Sequence, residues 1–136
     1  MRRVRMGVSR ETEGLTERVI GAAIEVHRGL GPGYRESLYH KAMKVELDRR
    51  GVGYRSEWPV VVSYKGVEIG AGKLDFLIED QLVLELKAVE RLHPVHEAQV
   101  LHYLKAANLP LALILNFRAP LMKQGIKRLI QTTQPR

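Results

Sequence analysis

The stretch KLDFLIEDQLVLELK, residues 73–87, decides the fold. It contains two strand-forming segments on either side of the polar turn 79–81. Such a pattern predicts an antiparallel hairpin closed over that turn. In the register that the turn imposes, Asp75 lies directly opposite Glu85.

The two faces of this hairpin differ in chemistry, because successive side chains of a strand point to opposite sides. One face carries Asp75, Glu85 and Lys87 beside Leu77 and Val83. The other face is apolar throughout and is expected to be core: Leu74, Phe76, Ile78, Leu82, Leu84 and Leu86.

The paired carboxylates predict a cation. Directly paired Cβ atoms lie about 4.5–5.5 Å apart, and like charges at that separation destabilise a sheet. A hard divalent ion between Asp75 and Glu85, Mg²⁺ or Mn²⁺, would remove the repulsion, acidify a water and stabilise displacement at a phosphate. Lys87 can hold the attacking water or neutralise the pentacovalent phosphate. The hairpin alone also allows a solvated strand face with a Glu85–Lys87 pair.

The flanking sequence predicts a mixed sheet with helices on its faces. Helical periodicity covers 16–29, 34–50 and 93–108, with Thr16 as the first N-cap. Strand-forming segments cover 55–64, a strand from Val67 that bends at Gly70 and Gly72, 73–78, 82–89 and 111–117. Residues 121–130 fit either an edge strand or a short helix. This order of elements is typical of an α/β (α+β) domain.

The composition describes one basic domain without cysteine. The 136 residues include 22 Lys and Arg against 15 Asp and Glu, for a net charge of +7. This excess suits a polyanion such as nucleic acid, although many small basic proteins bind nothing anionic. The absence of cysteine excludes disulfides, thiolate catalysis, Cys-bound zinc and cysteine-held iron–sulfur clusters. No apolar run is long enough to span a membrane and no secretory signal is recognisable, so we expect no membrane contact and a cytoplasmic location.

The chain is expected to divide into three parts. Residues 1–14 contain four arginines and predict a flexible basic arm, either frayed in solvent or in contact with phosphates. Residues 15–130 form a single domain, and residues 131–136 form a flexible tail.

Several short motifs, taken in order along the chain, resemble a known family. Asp75 followed by Glu85-Leu86-Lys87 looks like the signature of the PD-(D/E)xK nuclease superfamily. The segment Gly33-Tyr34-Arg35-Glu36-Ser37-Leu38-Tyr39 matches the motif that names its GxxExxY family. The segment Gln99-Val100-Leu101-His102-Tyr103 is similar to the QxxxY motif of RecB-like nucleases.

This resemblance implies a restriction-endonuclease-like αβββαβ core and metal-dependent hydrolysis of phosphodiester bonds. It makes Asp75, Glu85 and Glu36 the metal ligands, with Mg²⁺ or Mn²⁺ as the cofactor, and Lys87 the catalytic lysine. His27 is an outside candidate for the metal. Its place on the apolar stripe of the first predicted helix is ordinary for a core histidine, but RecB-like relatives place a histidine at the metal.

The resemblance also implies substrate-binding residues. Gln99 and Tyr103 would organise the site or contact nucleic acid, and their i, i+4 spacing puts them on one helix face. Lys73 stands where relatives often carry arginine, so it retains the charge without the bidentate grip on phosphate.

The sequence thus predicts a metal-dependent DNA nuclease, with RNA left open as a substrate. Two alternatives stay open: a non-catalytic module that binds nucleic acid or protein on the same fold, and a dimeric endonuclease specific for DNA junctions. The apolar strand 111–117 and the C-terminal segment are the expected interface of such a homodimer.

Overall fold

Five strands form a single mixed sheet in this computed structural model, which describes residues 8–131. In chain order they are β1 (Tyr54–Tyr64), β2 (Val67–Ile78), β3 (Leu82–Lys87), β4 (Leu111–Asn116) and β5 (Ile126–Ile130), and they lie side by side in that same order. β3 and β4 are parallel, and the other neighbouring pairs are antiparallel. The parallel pair is joined through a helix, as a crossover requires. This architecture confirms the predicted α/β fold with a mixed sheet flanked by helices.

Three α-helices cover the two faces of the sheet: α1 (Arg10–Leu30), α2 (Glu36–Arg49) and α3 (Pro94–Ala107). Within residues 8–131, none of the helices is both long and apolar enough to cross a membrane.

The first helix begins earlier than predicted. Ser9 caps it, because its Oγ accepts the N–H of Thr12 at 3.1 Å. Thr16, the predicted N-cap, lies inside the helix, where its hydroxyl donates to the carbonyl of Thr12 at 2.9 Å. The prediction of a flexible arm is therefore wrong for residues 10–14, which are helical. Residues 1–7 of that arm and residues 132–136 of the predicted tail lie outside the described residues.

Each face of the sheet has its own apolar core. The core beneath α1 and α2 contains Phe76 and Leu84, whereas the core beneath α3 contains Val83 and also Leu74. The prediction that Leu74 shares a face with Phe76 is therefore wrong. The regular pairing of β1 with β2 is interrupted between those two residues, opposite Glu57, whose φ of +51° is not that of a strand.

The apolar sequence of β4 reflects burial inside the molecule. Every residue of this strand is buried, and β3 and β5 pair with its two edges. The predicted homodimer interface through residues 111–117 is therefore wrong. The ambiguous C-terminal segment forms a short 3-10 helix (Met122–Gly125) followed by the edge strand β5.

β1 and β2 form a long hairpin whose far end extends beyond β3. β3 pairs with β2 at Phe76, Leu77 and Ile78, so the earlier part of β2 pairs with β1 alone. The bend predicted at Gly70 is present, because the register shifts between Val62 and Ser63 as they pair with Gly70 and Glu68. Gly72 lies in regular pairing opposite Val60, so the bend predicted there is absent.

Candidate active site

The predicted carboxylate pair lies where the ladder between β2 and β3 stops. Phe76 and Leu84 are the last paired residues. One position further, Oε2 of Glu85 accepts the N–H of Asp75 at 2.6 Å, and Oδ2 of Asp75 accepts the N–H of Leu86 at 2.8 Å. Asp75 and Glu85 are therefore neighbours, as the register predicts, but each carboxylate replaces a main-chain hydrogen bond of the sheet with one of its oxygens.

Glu36 enters this site from the first position of α2. The turn before the helix needs positive φ angles at Gly31 (+72°) and Gly33 (+117°). The hydroxyl of Tyr39 fixes this turn, since it donates to the carbonyl of Gly31 at 2.5 Å and accepts the N–H of Tyr34 at 3.2 Å. Tyr39 therefore acts on Glu36 by holding the start of the helix that carries it.

All three carboxyl groups are harder to ionise than usual. Burial of Glu85, together with the charge of Asp75, raises the pKa of Glu85 to about 8. Burial is likewise the main reason that the pKa of Asp75 is raised, and burial and then the charge of Asp75 raise the pKa of Glu36. Burial and mutual repulsion thus make each of the three groups hold its proton more tightly than an ordinary carboxyl group.

Lys87 supplies a positive charge to this site from the end of β3. This charge acts to lower the pKa of Glu36, Asp75 and Glu85. The chain around it is held firmly: the carbonyl of Lys87 accepts the N–H of Phe117 at 2.8 Å. The Asn116 side chain also accepts the N–H of Val89 at 3.1 Å and donates to the Val89 carbonyl at 2.8 Å.

Comparison with known protein families agrees with this fold. A family model described as the PD-(D/E)XK nuclease superfamily matches residues 13–129. The chain belongs to the PD-(D/E)XK nuclease superfamily. No curated protein matches it. Membership in this superfamily indicates a nuclease that acts on nucleic acid, and PD-(D/E)XK nucleases generally use divalent metal ions.

The ligand chemistry of Asp75, Glu85 and Glu36 suits a hard divalent cation, although the side chains are not gathered closely enough to surround one. Carboxylate oxygens are the ligands that Mg²⁺ and Mn²⁺ prefer, and a cation would offset the repulsion among the three groups. Within residues 8–131, no three Asp, Glu or His side chains are grouped closely enough to hold a metal ion. Asp75 and Glu85 each use one oxygen for the main chain, which leaves the second oxygen of each for an ion.

Two of the predicted substrate-binding residues, Gln99 and Tyr103, lie together further along β2. The ring of Tyr103 lies directly on Gly72, where an added Cβ would be 2.3 Å from it. Nε2 of Gln99 is 3.5 Å from the Tyr103 hydroxyl, at the limit of a hydrogen bond, so the two share a helix face as predicted. Lys73 is exposed beside Gly72. Gly72 precedes Asp75 by three residues, or roughly 10 Å of strand, so this group lies near the carboxylates but is separate from them.

The structure does not bring His27 to the carboxylates. The ring is buried, and its Nε2 lies 2.8 Å from the carbonyl oxygen of Ala119. Because a carbonyl only accepts, this nitrogen carries the proton and is not available to a metal. The structure supports the core-histidine interpretation.

Two residues beside Asp75 were not predicted from the sequence. His40 stacks on Phe76 with ring centroids 4.4 Å apart, and its Nε2 is 3.4 Å from the Asp75 carbonyl oxygen. The negative charge of Glu57, on β1, acts to raise the pKa of Asp75. The i, i+4 spacing of His40 from Glu36 was a usable signal, whereas nothing in the sequence marks Glu57.

Proposed function

We propose that this protein is a metal-dependent nuclease that hydrolyses phosphodiester bonds of DNA. The observation that carries the proposal is the Asp75–Glu85 carboxylate pair, with Glu36 and Lys87 near enough to shift its pKa values, in a chain of the PD-(D/E)XK nuclease superfamily. The raised pKa values mean that ionisation of these carboxyl groups destabilises the folded protein, and a divalent cation, Mg²⁺ or Mn²⁺, would remove that destabilisation.

We assign metal binding to Asp75, Glu85 and Glu36. Glu36 is exposed at the end of its helix, so its side chain is the one that can turn toward the other two. The ion, when bound, supplies Lewis acidity that lowers the pKa of water and offsets charge on the phosphate. Lys87 orients the attacking water or balances the charge that develops on the phosphoryl oxygens.

We further propose that the nucleic acid strand follows β2 from the carboxylates toward Gly72. Lys73 would contact a phosphate, and the Gln99 and Tyr103 pair would contact the same strand from α3. The net charge of +7 supports binding to a polyanion. Gly33, Glu36 and Tyr39 support placement in the GxxExxY family, because Tyr39 fixes the turn that presents Glu36.

Cleavage of single-stranded and double-stranded DNA tests the proposal. The wild-type protein should cut at least one of them with Mg²⁺ or Mn²⁺, and EDTA should stop the reaction. Asp75→Ala and Lys87→Ala should each lower the rate by about 100-fold or more. Glu25→Ala and Lys123→Ala remove an exposed acid and an exposed base elsewhere and serve as matched controls that keep the wild-type rate.

The outcomes separate the alternative functions. Cleavage that survives both Asp75→Ala and Lys87→Ala contradicts the site assignment. Binding of DNA without cleavage, under every metal condition, identifies a non-catalytic module. If the protein preferentially cuts RNA or a DNA junction, the proposed substrate is wrong but the assignment of the site still holds.

We also propose that the protein forms a homodimer through the far end of the β1–β2 hairpin. Four large apolar side chains there are more than half exposed: Val61 52%, Tyr64 61%, Val67 63% and Ile69 66%. Lys65 and Glu68 are the charged residues between 59 and 72, so this ribbon is neutral and poorly matched to a polyanion. Two strands with open edges are marginal in water and prone to pair with another copy.

Sedimentation velocity tests this partner. The wild-type protein should sediment as a dimer at micromolar concentration, and Ile69→Lys should shift it to the monomer without changing the circular dichroism spectrum. A wild-type monomer across the accessible concentration range contradicts the proposal.

A further inference from the structure

The N–H and C=O of Asp75 contact two side chains, whereas in a regular strand they would pair with the neighbouring strands. β1 and β2 pair at Ser56–Phe76 and at Trp58–Leu74, but the register leaves Asp75 unpaired between them. The ladder with β3 has also ended by this position. Oε2 of Glu85 accepts the N–H of Asp75 at 2.6 Å, and Nε2 of His40 lies 3.4 Å from its carbonyl oxygen.

His40 is well placed to hold this carbonyl. It lies one helical turn after Glu36, on the same face of α2, so the two residues approach β2 together. Its ring stacks on Phe76, the neighbour of Asp75, with centroids 4.4 Å apart and planes inclined by 22°. Phe76 is fully buried, so the surface on which the imidazole rests is rigid.

The chemistry of the contact fixes the direction of the hydrogen bond. A carbonyl oxygen only accepts, so Nε2 of His40 must donate, which both the Nε2–H tautomer and the imidazolium can do. At 3.4 Å the bond is long and contributes little energy by itself. The stacking that keeps the ring in place adds to the effect of this bond on Asp75.

From this arrangement we infer that His40 is a positioning residue for Asp75. The inference rests on the proposed function, in which Asp75 is a metal ligand. With both strand pairings absent, the direction of the Asp75 side chain depends on its own N–H and C=O. Glu85 contacts the N–H and His40 the C=O, so together they keep the Asp75 carboxylate directed at the N–H of Leu86.

Two substitutions separate the ring from the donor. His40→Phe keeps an aromatic ring on Phe76 and removes the donor, whereas His40→Gln removes the ring and keeps an N–H donor of similar reach. His102→Gln, an exposed histidine of α3, is the matched control. Each protein is compared with the wild type in unfolding, Mn²⁺ affinity, the kcat and KM of DNA cleavage, and amide hydrogen exchange at residues 74–77.

We expect His40→Phe to unfold like the wild type but to bind Mn²⁺ several-fold more weakly and to lose kcat with little change in KM. His40→Gln should recover part of both losses, and His102→Gln should match the wild type throughout. Amide exchange at Asp75 should accelerate in His40→Phe even without metal, while exchange in β4 stays unchanged.

Three results would overturn the inference: wild-type Mn²⁺ affinity in His40→Phe, equal losses in His40→Phe and His40→Gln, or unchanged exchange at Asp75 in His40→Phe. A wild-type protein that neither binds Mn²⁺ nor cleaves DNA refutes the proposed function instead. In that case the exchange measurement still decides whether His40 holds Asp75.

Discussion

Asp75 and Glu85 each place a carboxylate oxygen on the other strand's main chain, at 2.8 Å from Leu86 N and 2.6 Å from Asp75 N. Two acidic side chains thus replace the sheet's own hydrogen bonds at the point where β2 and β3 part. The arrangement brings like charges together in a largely buried place, and its cost appears in the raised pKa of both groups. A fold that retains such a cost without a stability benefit is typical of a functional site.

The first prediction concerns the pH dependence of stability without metal. The pKa of Glu85 is about 8 in the folded protein and ordinary in the unfolded chain, so the folded state binds this proton more tightly. Stability is therefore lost as pH rises from about 4.5 toward 8, by at most about 1.4 kcal/mol for each pH unit. Urea unfolding of the metal-free protein at pH 5, 6.5 and 8 measures the loss.

Glu85→Gln is the matched variant for that prediction. Glutamine keeps an oxygen for the N–H of Asp75 and removes the ionisation. The free energy of unfolding of Glu85→Gln should therefore increase relative to that of the wild type as pH rises from 5 to 8. A constant difference between the two proteins over this range would show that Glu85 does not titrate there.

The second prediction concerns the contact of Tyr103 with Gly72. In Gly72→Ala the new methyl group would lie 2.3 Å from the phenol, so the ring must swing away and leave Gln99. We expect a stability loss of up to about 1 kcal/mol and a several-fold rise in KM for DNA with little change in kcat. In Gly70→Ala, by contrast, the methyl group meets nothing within 4 Å. Equal kinetic effects in the two variants would refute a role for the Tyr103 contact.

The third prediction concerns Tyr39. Tyr39→Phe keeps the stack on Phe117, whose centroid is 4.5 Å away, and removes the hydroxyl from Gly31 and Tyr34. We expect a loss of about 1–2 kcal/mol in stability and a lower cleavage rate, since the start of α2 and hence Glu36 are loosened. Thermal unfolding and the cleavage assay measure both.

Tyr34→Phe is the control for that substitution, because the Tyr34 ring is half exposed and its N–H, not its hydroxyl, is the partner of Tyr39. It should leave stability and cleavage unchanged. Should Tyr39→Phe cleave at the wild-type rate, Glu36 does not depend on this turn.

The parts of the fold that follow from local pattern were predictable. Two strand-forming segments around the short polar turn 79–81 specify the pairing of Ile78 with Leu82, and this pairing brings Asp75 to Glu85. The two glycines and the proline of residues 31–33 similarly predict the turn before α2. The superfamily was recognisable because Asp75, Glu85 and Lys87 match the spacing of its signature, which falls on two adjacent strands.

What depends on three-dimensional context was not predictable. Leu74 changes face because pairing between β1 and β2 is interrupted opposite Glu57. The φ of +51° at Glu57 is not predicted by any residue propensity, because positive φ is unusual for a glutamate. β4 is buried because it is an interior strand of the sheet with helices on both faces, and the apolar sequence alone does not distinguish such a strand from an interface. The i, i+4 spacing places His40 on the face of α2 that carries Glu36, but only the approach of α2 to β2 gives it Asp75 as a partner.

The most direct test of the central claim is calorimetric titration of Mn²⁺ at pH 7 in two buffers of different ionisation enthalpy. Because Glu85 is largely protonated at pH 7 without metal, the wild-type protein should release protons as it binds the ion. Glu85→Gln and Asp75→Asn should lose most of the affinity, and Glu25→Gln should keep it. Binding without proton release, or with equal affinity in Glu85→Gln, would contradict the assignment of Asp75 and Glu85 as the metal-binding pair.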